Sequence, residues 1–149
     1  MRSVVQRVDR AGVVIGDRRI SEIGKGLLVL LGIEQDDGKN DADYLSDKIS
    51  NLRIFEDQNG KMNRSLIDIH GEMLVVSQFT LLGDCRKGRR PSFTRAENPD
   101  RAHLLYDYFI QKTKTMIGRV VQGEFQAMMS IDLINNGPVT ILLDSKRIF

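Results

Sequence analysis

The stretch Gly26-Leu-Leu-Val-Leu-Leu-Gly-Ile33 decides the fold, because Leu27 to Leu31 form the longest apolar run in the chain and a glycine stands at each end. An apolar run that does not alternate with polar residues predicts a β-strand that is buried on both faces. The run is far too short to cross a lipid bilayer. It therefore predicts a core strand of a soluble domain.

Two helices are predicted downstream of this strand from the spacing of apolar residues. The first begins near Asn40 or Asp41, and its apolar stripe is Ala42, Leu45, Ile49 and Leu52. The second begins at Asn98, with Pro99 in the first turn and Gly118 as the C-cap. Its buried stripe is predicted to be Ala102, Leu105, Phe109 and Met116.

Further strands are predicted where short apolar or β-branched runs are bounded by turn residues. They cover residues 2–9, 11–15, 53–55, 72–78, 120–121, 127–133 and 139–143. With no linker, repeat or low-complexity segment, residues 1–149 are expected to form one domain. The predicted fold class is mixed α/β, with two largely antiparallel β-sheets in a barrel-like arrangement and two main helices packed outside.

Composition excludes several classes of protein. The single cysteine, Cys85, excludes an intrachain disulfide and a cysteine-based zinc site, and it fits a reducing cytosol, so we expect a cytoplasmic protein. The amino-terminal segment is punctuated by charge, unlike a signal peptide. No cluster of His, Asp and Glu has metal-ligand spacing and no glycine-rich loop matches a nucleotide fingerprint, so neither a metal nor a cofactor is expected.

The positive charge of the chain is concentrated in one loop. From Cys85 to Arg95 there are five basic residues and no acid, whereas the rest of the chain has 17 basic against 20 acidic residues. The loop therefore predicts contact with a polyanion, and its candidate phosphate contacts are Arg86, Lys87, Arg89 and Arg90. The competing interpretation is a merely solvated loop, which is the more common origin of a charge run.

Two short phrases place small polar groups and exposed backbone where apolar runs end. They are Ser77-Gln78-Phe79-Thr80-Leu81 and Asn135-Asn136-Gly137-Pro138-Val139-Thr140. Backbone N–H groups of the first phrase would polarise a carbonyl and stabilise an oxyanion, but the phrase is also compatible with the polar face of an alternating strand. The second phrase is either a tight turn between strands or a glycine that lets a ligand or another chain approach the backbone.

No side-chain base accompanies the hydroxyl groups of the first phrase. Ser77 or Thr80 would act as a nucleophile only beside an activating base. The two histidines, His70 and His103, show no triad spacing. A Ser-His-Asp hydrolase is therefore disfavoured.

Several motifs, in order along the chain, resemble the D-aminoacyl-tRNA deacylase family. They are Ser77-Gln-Phe-Thr-Leu81, Lys87-Gly-x-Arg-Pro-Ser-Phe93 and Asn136-Gly-Pro-Val-Thr140, with Gln6-Arg-Val8 and Asp100-Arg-Ala among further matching stretches. The resemblance covers essentially the whole chain, and the combination is far more specific than any one motif. One departure is the densely basic loop from Cys85 to Arg90, in a region that varies within the family.

The resemblance implies an enzyme that hydrolyses the ester between a D-amino acid and the terminal adenosine ribose of tRNA, and that also clears glycine from mischarged tRNA. The catalytic residues it implies are Ser77, Gln78, Phe79 and Thr80. Backbone amides would stabilise the oxyanion while the tRNA 2′-hydroxyl assists water, and a nucleophilic Thr80 hydroxyl ranks second. Phe125 and Met129 match positions near the terminal adenine. The implied assembly is a homodimer, in which Gly137 and a cis Pro138 of one chain enter the partner's site and reject L-residues.

Two other functions remain as alternatives. A non-catalytic tRNA-binding module would use the basic loop and Phe93 against single-stranded RNA ends, but it gives no role to the Gly137-Pro138 dipeptide. An esterase for small molecules would explain the two phrases but not the focused charge. The deacylase accounts for both, with the aminoacylated acceptor end of tRNA as partner and with no DNA or membrane partner expected.

Overall fold

The computed structural model describes residues 1–149, which form eight β-strands, two α-helices and one 3₁₀ helix. The strands are β1 (Arg2–Ile15), β2 (Arg18–Ile23), β3 (Gly26–Gly32), β4 (Phe55–Glu56), β5 (Met62–Arg64), β6 (Glu72–Ser77), β7 (Val120–Gln122) and β8 (Ser130–Asp144). The helices are α1 (Lys39–Ser50) and α2 (Pro99–Lys114), and the 3₁₀ helix (Phe79–Leu82) follows β6 almost directly.

The main sheet has six strands and is built around β1. One edge of β1 pairs antiparallel with β8, and the other edge pairs antiparallel with β3 and then with β2. β3 pairs parallel with β6, and β6 pairs parallel with β7, while β4 and β5 form a separate two-stranded sheet. The predicted fold class is confirmed, with a nearly closed, barrel-like main sheet, a small second sheet and two helices. The two parallel pairs follow from two long connections, through α1 between β3 and β6 and through α2 between β6 and β7, each of which returns the chain in the same direction.

Both faces of β3 are covered, as its unbroken apolar run predicts. The helices pack on one face, where the buried residues include Val5, Leu27, Val29, Met73, Leu45 and Phe109. A second cluster fills the other face and includes Val8, Val13, Ile23, Leu28 and Leu74. Neither helix is both long enough and apolar enough to cross a membrane.

The helix predictions hold at the amino ends but not at the carboxyl ends, because α1 ends at Ser50 and leaves the predicted stripe residue Leu52 outside it. The predicted stripe residues Ala42, Leu45 and Ile49 are buried in α1. The predicted cap of α2 is also present, because the Asn98 side chain accepts from the Arg101 N–H at 3.1 Å. Gly118 as the C-cap was wrong, because α2 ends at Lys114 and Thr115 is its cap. The Thr113 carbonyl accepts from the N–H groups of Met116 and Ile117, both at 3.0 Å, which closes the helix early and leaves Met116 beyond it.

The register of β1 and β8 corrects two strand predictions. Residues 2–9 and 11–15 belong to one strand, and so do 130–133 and 139–143. Val8 is paired with Asn135 and Gln6 with Thr140, so residues 136–139 of β8 lie opposite Arg7 alone. These four residues therefore form a bulge inside an antiparallel pair, and their interpretation as a tight turn between two strands was wrong.

Candidate active site

A cavity of about 570 Å³ opens beyond the end of β6, between the start of α2 and the segment that leads into β8. Ten of its 15 lining residues are hydrophobic, which suits an aromatic ligand. The predicted site residues that line it are Ser77, Gln78, Phe79, Phe125 and Met129. The fold therefore brings the first phrase of the sequence together with the predicted wall for adenine.

The turn formed by residues 77–82, called the catalytic turn after the role that the resemblance implies, presents two free backbone donors. Gln78 is fixed by its N–H, which donates to the Leu31 carbonyl at 2.8 Å. The first hydrogen bond of the 3₁₀ helix runs from the Leu81 N–H to the Gln78 carbonyl at 3.2 Å. The N–H groups of Phe79 and Thr80 precede that bond and have no acceptor within the helix. They are suitable donors for an oxyanion.

No side-chain base lies at this turn. The Thr80 side chain is exposed, and its hydroxyl accepts a hydrogen bond from the Gln78 side-chain amide, which cannot take a proton. The one ionisable residue that lines the cavity is Glu97. Its Oε1 accepts from the N–H and side-chain amide of Asn98, at 2.8 and 2.9 Å, while its Oε2 is buried, accepts no hydrogen bond and forms an ion pair with Arg101 at 3.2 Å.

Aromatic and sulfur-containing side chains form one wall of the cavity. Phe125 is stacked on the His103 ring, with the centroids 4.5 Å apart and the planes parallel, and it also contacts the Tyr106 ring at 5.8 Å. Tyr106 donates its hydroxyl to the Val75 carbonyl at 2.8 Å, and burial raises the pKa of its phenol, which stays neutral. These contacts hold Phe125 in place beside Met129 as a flat surface.

The bulge, residues 136–139, lies away from this cavity within one chain. Gly137 and Pro138 are both exposed and neither lines the cavity, and the peptide bond between them is cis. Gly137 has φ of +113°, a conformation that side chains disfavour. The structure of one chain therefore separates two groups of residues that the sequence predicts to act together.

Arg7 holds the bulge from beneath and is only 4% exposed. Its Nε donates to the Asn136 carbonyl at 3.2 Å, and its Nη1 donates to the Ile54 carbonyl at 2.6 Å and to the Glu56 carboxylate at 2.9 Å. A Cβ atom at position 137 would lie 2.6 Å from Nη2 of Arg7. The guanidinium thus fixes the backbone of the bulge and leaves room only for glycine above it.

The basic loop, residues 85–91, is closed at its base by two backbone hydrogen bonds between Asp84 and Ser92, at 2.7 and 3.0 Å. Arg86 donates to the Asp84 carboxylate through Nε at 2.9 Å and Nη2 at 2.6 Å, which lowers the pKa of that carboxyl well below its usual range. Lys87, Arg89 and Arg90 are exposed and have no carboxylate partner. Their charge is free to meet an anion.

The sequence profile of the family described as D-Tyr-tRNA(Tyr) deacylase matches residues 4–144 of this chain. The chain belongs to this family. The resemblance stated from the motifs is therefore confirmed. A protein named D-aminoacyl-tRNA deacylase from Syntrophus aciditrophicus (strain SB) is 65% identical, and the match covers 100% of both chains. Relatives of the same name from Clostridioides difficile (strain 630) and Petrotoga mobilis (strain DSM 10674 / SJ95) are 58% and 57% identical over their full lengths.

Two solved structures resemble the fold of this deacylase family member. A structure described as the c-Myc DNA unwinding element binding protein superposes with a TM-score of 0.92 at 41% identity, over 97% of this chain and 98% of that one. A probable eukaryotic D-amino acid tRNA deacylase superposes with a TM-score of 0.81, over 95% of this chain and 97% of that one. The second is only 18% identical, so it supports the fold alone.

Two residues of the site in this deacylase family member were missed from the sequence. Arg7 lies two residues after the buried Val5 in the same strand, so both side chains point to the same face of the sheet. This spacing is the signal in the sequence that the Arg7 side chain is buried. Glu97 carries no such signal. The structural role of Phe93 was missed as well: named only for the tRNA-binding alternative, its ring makes a T-shaped contact with Phe79, with centroids 5.1 Å apart, and so joins the basic loop to the catalytic turn.

No group of three or more His, Cys, Asp or Glu residues lies close enough together to hold a metal ion.

Proposed function

We propose that this chain hydrolyses the ester of D-aminoacyl-tRNA and releases free tRNA and the D-amino acid. Its family membership and its relatives named D-aminoacyl-tRNA deacylase support this activity. The observation that carries the proposal is the pair of free N–H groups on Phe79 and Thr80 beside an apolar cavity whose one ionisable residue, Glu97, is already engaged by Asn98 and Arg101. Such a site can polarise an ester carbonyl but needs its substrate to help with proton transfer.

The substrate supplies what the protein lacks. With the terminal adenine against Phe125 and Met129, the ester lies toward the catalytic turn, where the N–H groups of Phe79 and Thr80 bind the developing oxyanion. The ribose 2′-hydroxyl next to the ester assists the attack of water. The Thr80 hydroxyl is left as a neutral neighbour, because the amide of Gln78 that contacts it cannot activate it.

Chiral selection is assigned to the bulge of a partner chain. Gly137 and Pro138 are exposed, are held rigidly by Arg7 and do not reach the cavity of their own chain. In a homodimer, their carbonyl groups would accept from the ammonium of a D-residue and clash with the side chain of an L-residue. A clash rejects the wrong enantiomer more strongly than an added contact favours the right one. Glycine has no side chain to clash, so glycyl-tRNA is also expected to be cleaved.

The exposed edge of the main sheet supports a homodimer. β8 pairs with β1 on one side only, so backbone groups along its other side are unpaired. Two large apolar residues of this strand, Ile134 and Leu142, are 46% and 60% exposed. A long edge strand with exposed apolar side chains is a surface that proteins usually cover.

The first experiment compares the deacylation of D-tyrosyl-, L-tyrosyl- and glycyl-tRNA by the protein and by Thr80→Ala. Cleavage of the D- and glycyl-esters only, retained in the variant, is expected for backbone donors and substrate assistance. Loss of cleavage in the variant would make the hydroxyl the nucleophile. Tight binding of tRNA without cleavage of any ester would leave a non-catalytic tRNA-binding module. Equal cleavage of a small ester without RNA would leave a general esterase.

The second experiment tests whether the bulge acts on the partner chain. Pro138→Trp places a large ring on a residue that is exposed in a single chain, so it should be harmless unless Pro138 enters another chain's cavity. We expect it to abolish cleavage without lowering the melting temperature. The second variant, Thr80→Pro, removes a donor from the turn. When equal amounts of the two variants exchange chains, about half of the dimers are mixed, and one of the two sites in each mixed dimer combines an intact turn with an intact bulge. About a quarter of all sites should therefore regain activity. No recovery would contradict the shared site.

A further inference from the structure

A second cavity, of about 520 Å³, lies at the carboxyl end of the 3₁₀ helix, whereas the first lies at its amino end. Its lining begins at Leu82, where the catalytic turn ends, and includes the side chains of Arg2, Arg86 and Arg95. The one acid in the lining is Asp84, and the carboxylates of Asp144 and Glu34 that pair with Arg2 and Arg95 lie outside it, so the surface of the cavity presents three guanidinium groups and one carboxylate. Three guanidinium side chains around one open cavity, with Arg86 and Arg95 more than half exposed, are a typical setting for an anionic ligand.

Each of the three arginines is oriented by a carboxylate. Arg2 Nε donates to Asp144 at 3.1 Å, Arg86 forms its two-point contact with Asp84, and Arg95 pairs with Glu34. A guanidinium has five N–H donors, and each carboxylate uses one or two of them. Donors therefore remain for a ligand, on side chains whose orientation is already fixed. Arg2 also donates to the Leu81 carbonyl at 3.4 Å, which links this cavity to the catalytic turn.

We propose that this cavity binds a backbone phosphate of the single-stranded 3′ end of the tRNA, just before the terminal adenosine. This inference rests on the proposed function, because it takes the terminal adenosine to occupy the first cavity. A strand that runs from the first cavity to the basic loop passes the 3₁₀ helix, and the second cavity lies between the end of that helix at Leu82 and the loop residues Cys85 and Arg86. Arg89 and Arg90 do not line it and are left for phosphates farther along the RNA.

Arg95→Gln is the variant that tests the phosphate site. Glu34 keeps its contact with Lys146 at 2.9 Å when Arg95 is replaced, so folding should be preserved. Arg2→Lys is the second variant, because it keeps a charge beside the buried Asp144 but loses the planar fork. Lys48→Gln, an exposed residue on α1 without a carboxylate partner, is the matched control for loss of one charge.

The kinetic experiment compares two substrates with the same ester. D-tyrosyl-adenosine has no phosphate, whereas D-tyrosyl-tRNA has the full 3′ strand. Arg95→Gln should raise the KM for the tRNA about threefold to tenfold and reduce its salt dependence, with no effect on the phosphate-free ester. Lys48→Gln should change neither substrate. An equal effect of Arg95→Gln on both substrates would overturn the phosphate site, because it would indicate a general disturbance of the turn.

A binding experiment separates this inference from the proposed function. Cys85 is exposed, is the single cysteine of the chain and lines the second cavity, so its alkylation by iodoacetamide reports on occupancy. The trinucleotide CCA should protect Cys85 in the wild type but not in Arg95→Gln, and adenosine alone should not protect it. Protection without ester cleavage would refute the enzyme and keep the phosphate site. Cleavage of D-tyrosyl-tRNA without protection would keep the enzyme and refute the phosphate site.

Discussion

The catalytic turn and the bulge both present backbone rather than side-chain groups, but they are built differently. The turn is shaped by backbone hydrogen bonds, from the Gln78 N–H to the Leu31 carbonyl of β3 and from the Leu81 N–H to the Gln78 carbonyl. The bulge depends on one buried side chain, Arg7, which reaches its backbone across the sheet. The turn should therefore tolerate side-chain changes, whereas the bulge should be sensitive to a residue far from it in sequence.

The two regions also divide the proposed reaction. The turn stabilises the oxyanion, which D- and L-esters share, so damage to the turn should slow both. The bulge contacts the amino acid, so damage to the bulge should alter the ratio of the two rates. The basic loop contacts RNA and should alter neither the ratio nor the rate at saturating substrate.

The largest effect is expected from removing a backbone donor. Thr80→Pro deletes the Thr80 N–H at a position where the helix does not use it, so the fold should accept the change. We expect kcat to fall by about 10²–10³-fold for every substrate, the typical loss for one oxyanion donor. Thr80→Ala is the control, because it keeps the N–H. If Thr80→Ala is as slow as Thr80→Pro, the hydroxyl matters and the backbone interpretation is refuted.

Arg7→Gln should damage the bulge from beneath. It removes the Nε donor of the Asn136 carbonyl and the Nη1 donor of the Ile54 carbonyl. We expect the free energy of unfolding to fall by about 1–3 kcal/mol, as for other unpaired buried polar groups. The ratio of D- to L-tyrosyl-tRNA cleavage should fall by more than kcat on the D-ester. Chemical denaturation and paired deacylation assays measure the two effects. A stability loss with an unchanged ratio would show that Arg7 is only structural.

Gly137→Ala should have a smaller effect of the same kind. Its added methyl group would meet the Arg7 guanidinium at 2.6 Å, and its φ of +113° disfavours any side chain, so the bulge must shift. We expect about a tenfold loss of discrimination between D- and L-esters, because a small displacement relaxes a steric filter. Gly60→Ala is a useful control, since Gly60 also has a positive φ, of +74°, but has open space around it. Both variants should be compared by melting temperature before their kinetics.

The smallest effect on chemistry is expected from the basic loop. Replacing Arg89 and Arg90 by Gln should reduce the slope of log affinity for tRNA against log salt by about 0.7–0.9 for each lost phosphate contact. The D-to-L ratio should not change. Lys48→Gln provides the reference for loss of charge elsewhere on the surface. An unchanged slope in the double variant would show that the loop does not contact phosphate.

Local patterns in the sequence were sufficient to predict most of the fold. The unbroken run from Leu27 to Leu31, the stripe of α1 and the Asn98 cap of α2 each depend on neighbours within a few residues. The C-cap at Gly118 failed because the Thr113 carbonyl, and not the glycine, closes the helix. The bulge could not be predicted as such, because only the pairing of Val8 and Gln6 with β8 distinguishes it from a turn.

The candidate site was predicted only in part, because local motifs identify some of its residues while others act through partners that are distant in the sequence. Ser77 to Phe79, Phe125 and Met129 were named from motifs, and the fold brings them to one cavity. Arg7 and Glu97 were missed, since their roles depend on partners 129 residues away in one case and on packing in the cavity wall in the other. Whether Gly137 and Pro138 complete the site depends on a second chain, which no pattern within one chain can specify.

The bulge also determines where this chain can change in length during evolution. Strands β1 and β8 pair on both sides of residues 136–139, with a second register shift between Val8 and Arg10, and those four residues face a single residue of β1. A residue added or lost within the bulge would be absorbed locally, whereas the same change between 130 and 135 would turn every following side chain of that segment to the opposite face. Related sequences should therefore differ in length at the bulge, if anywhere in β8, and a change there would reshape selectivity without remaking the core.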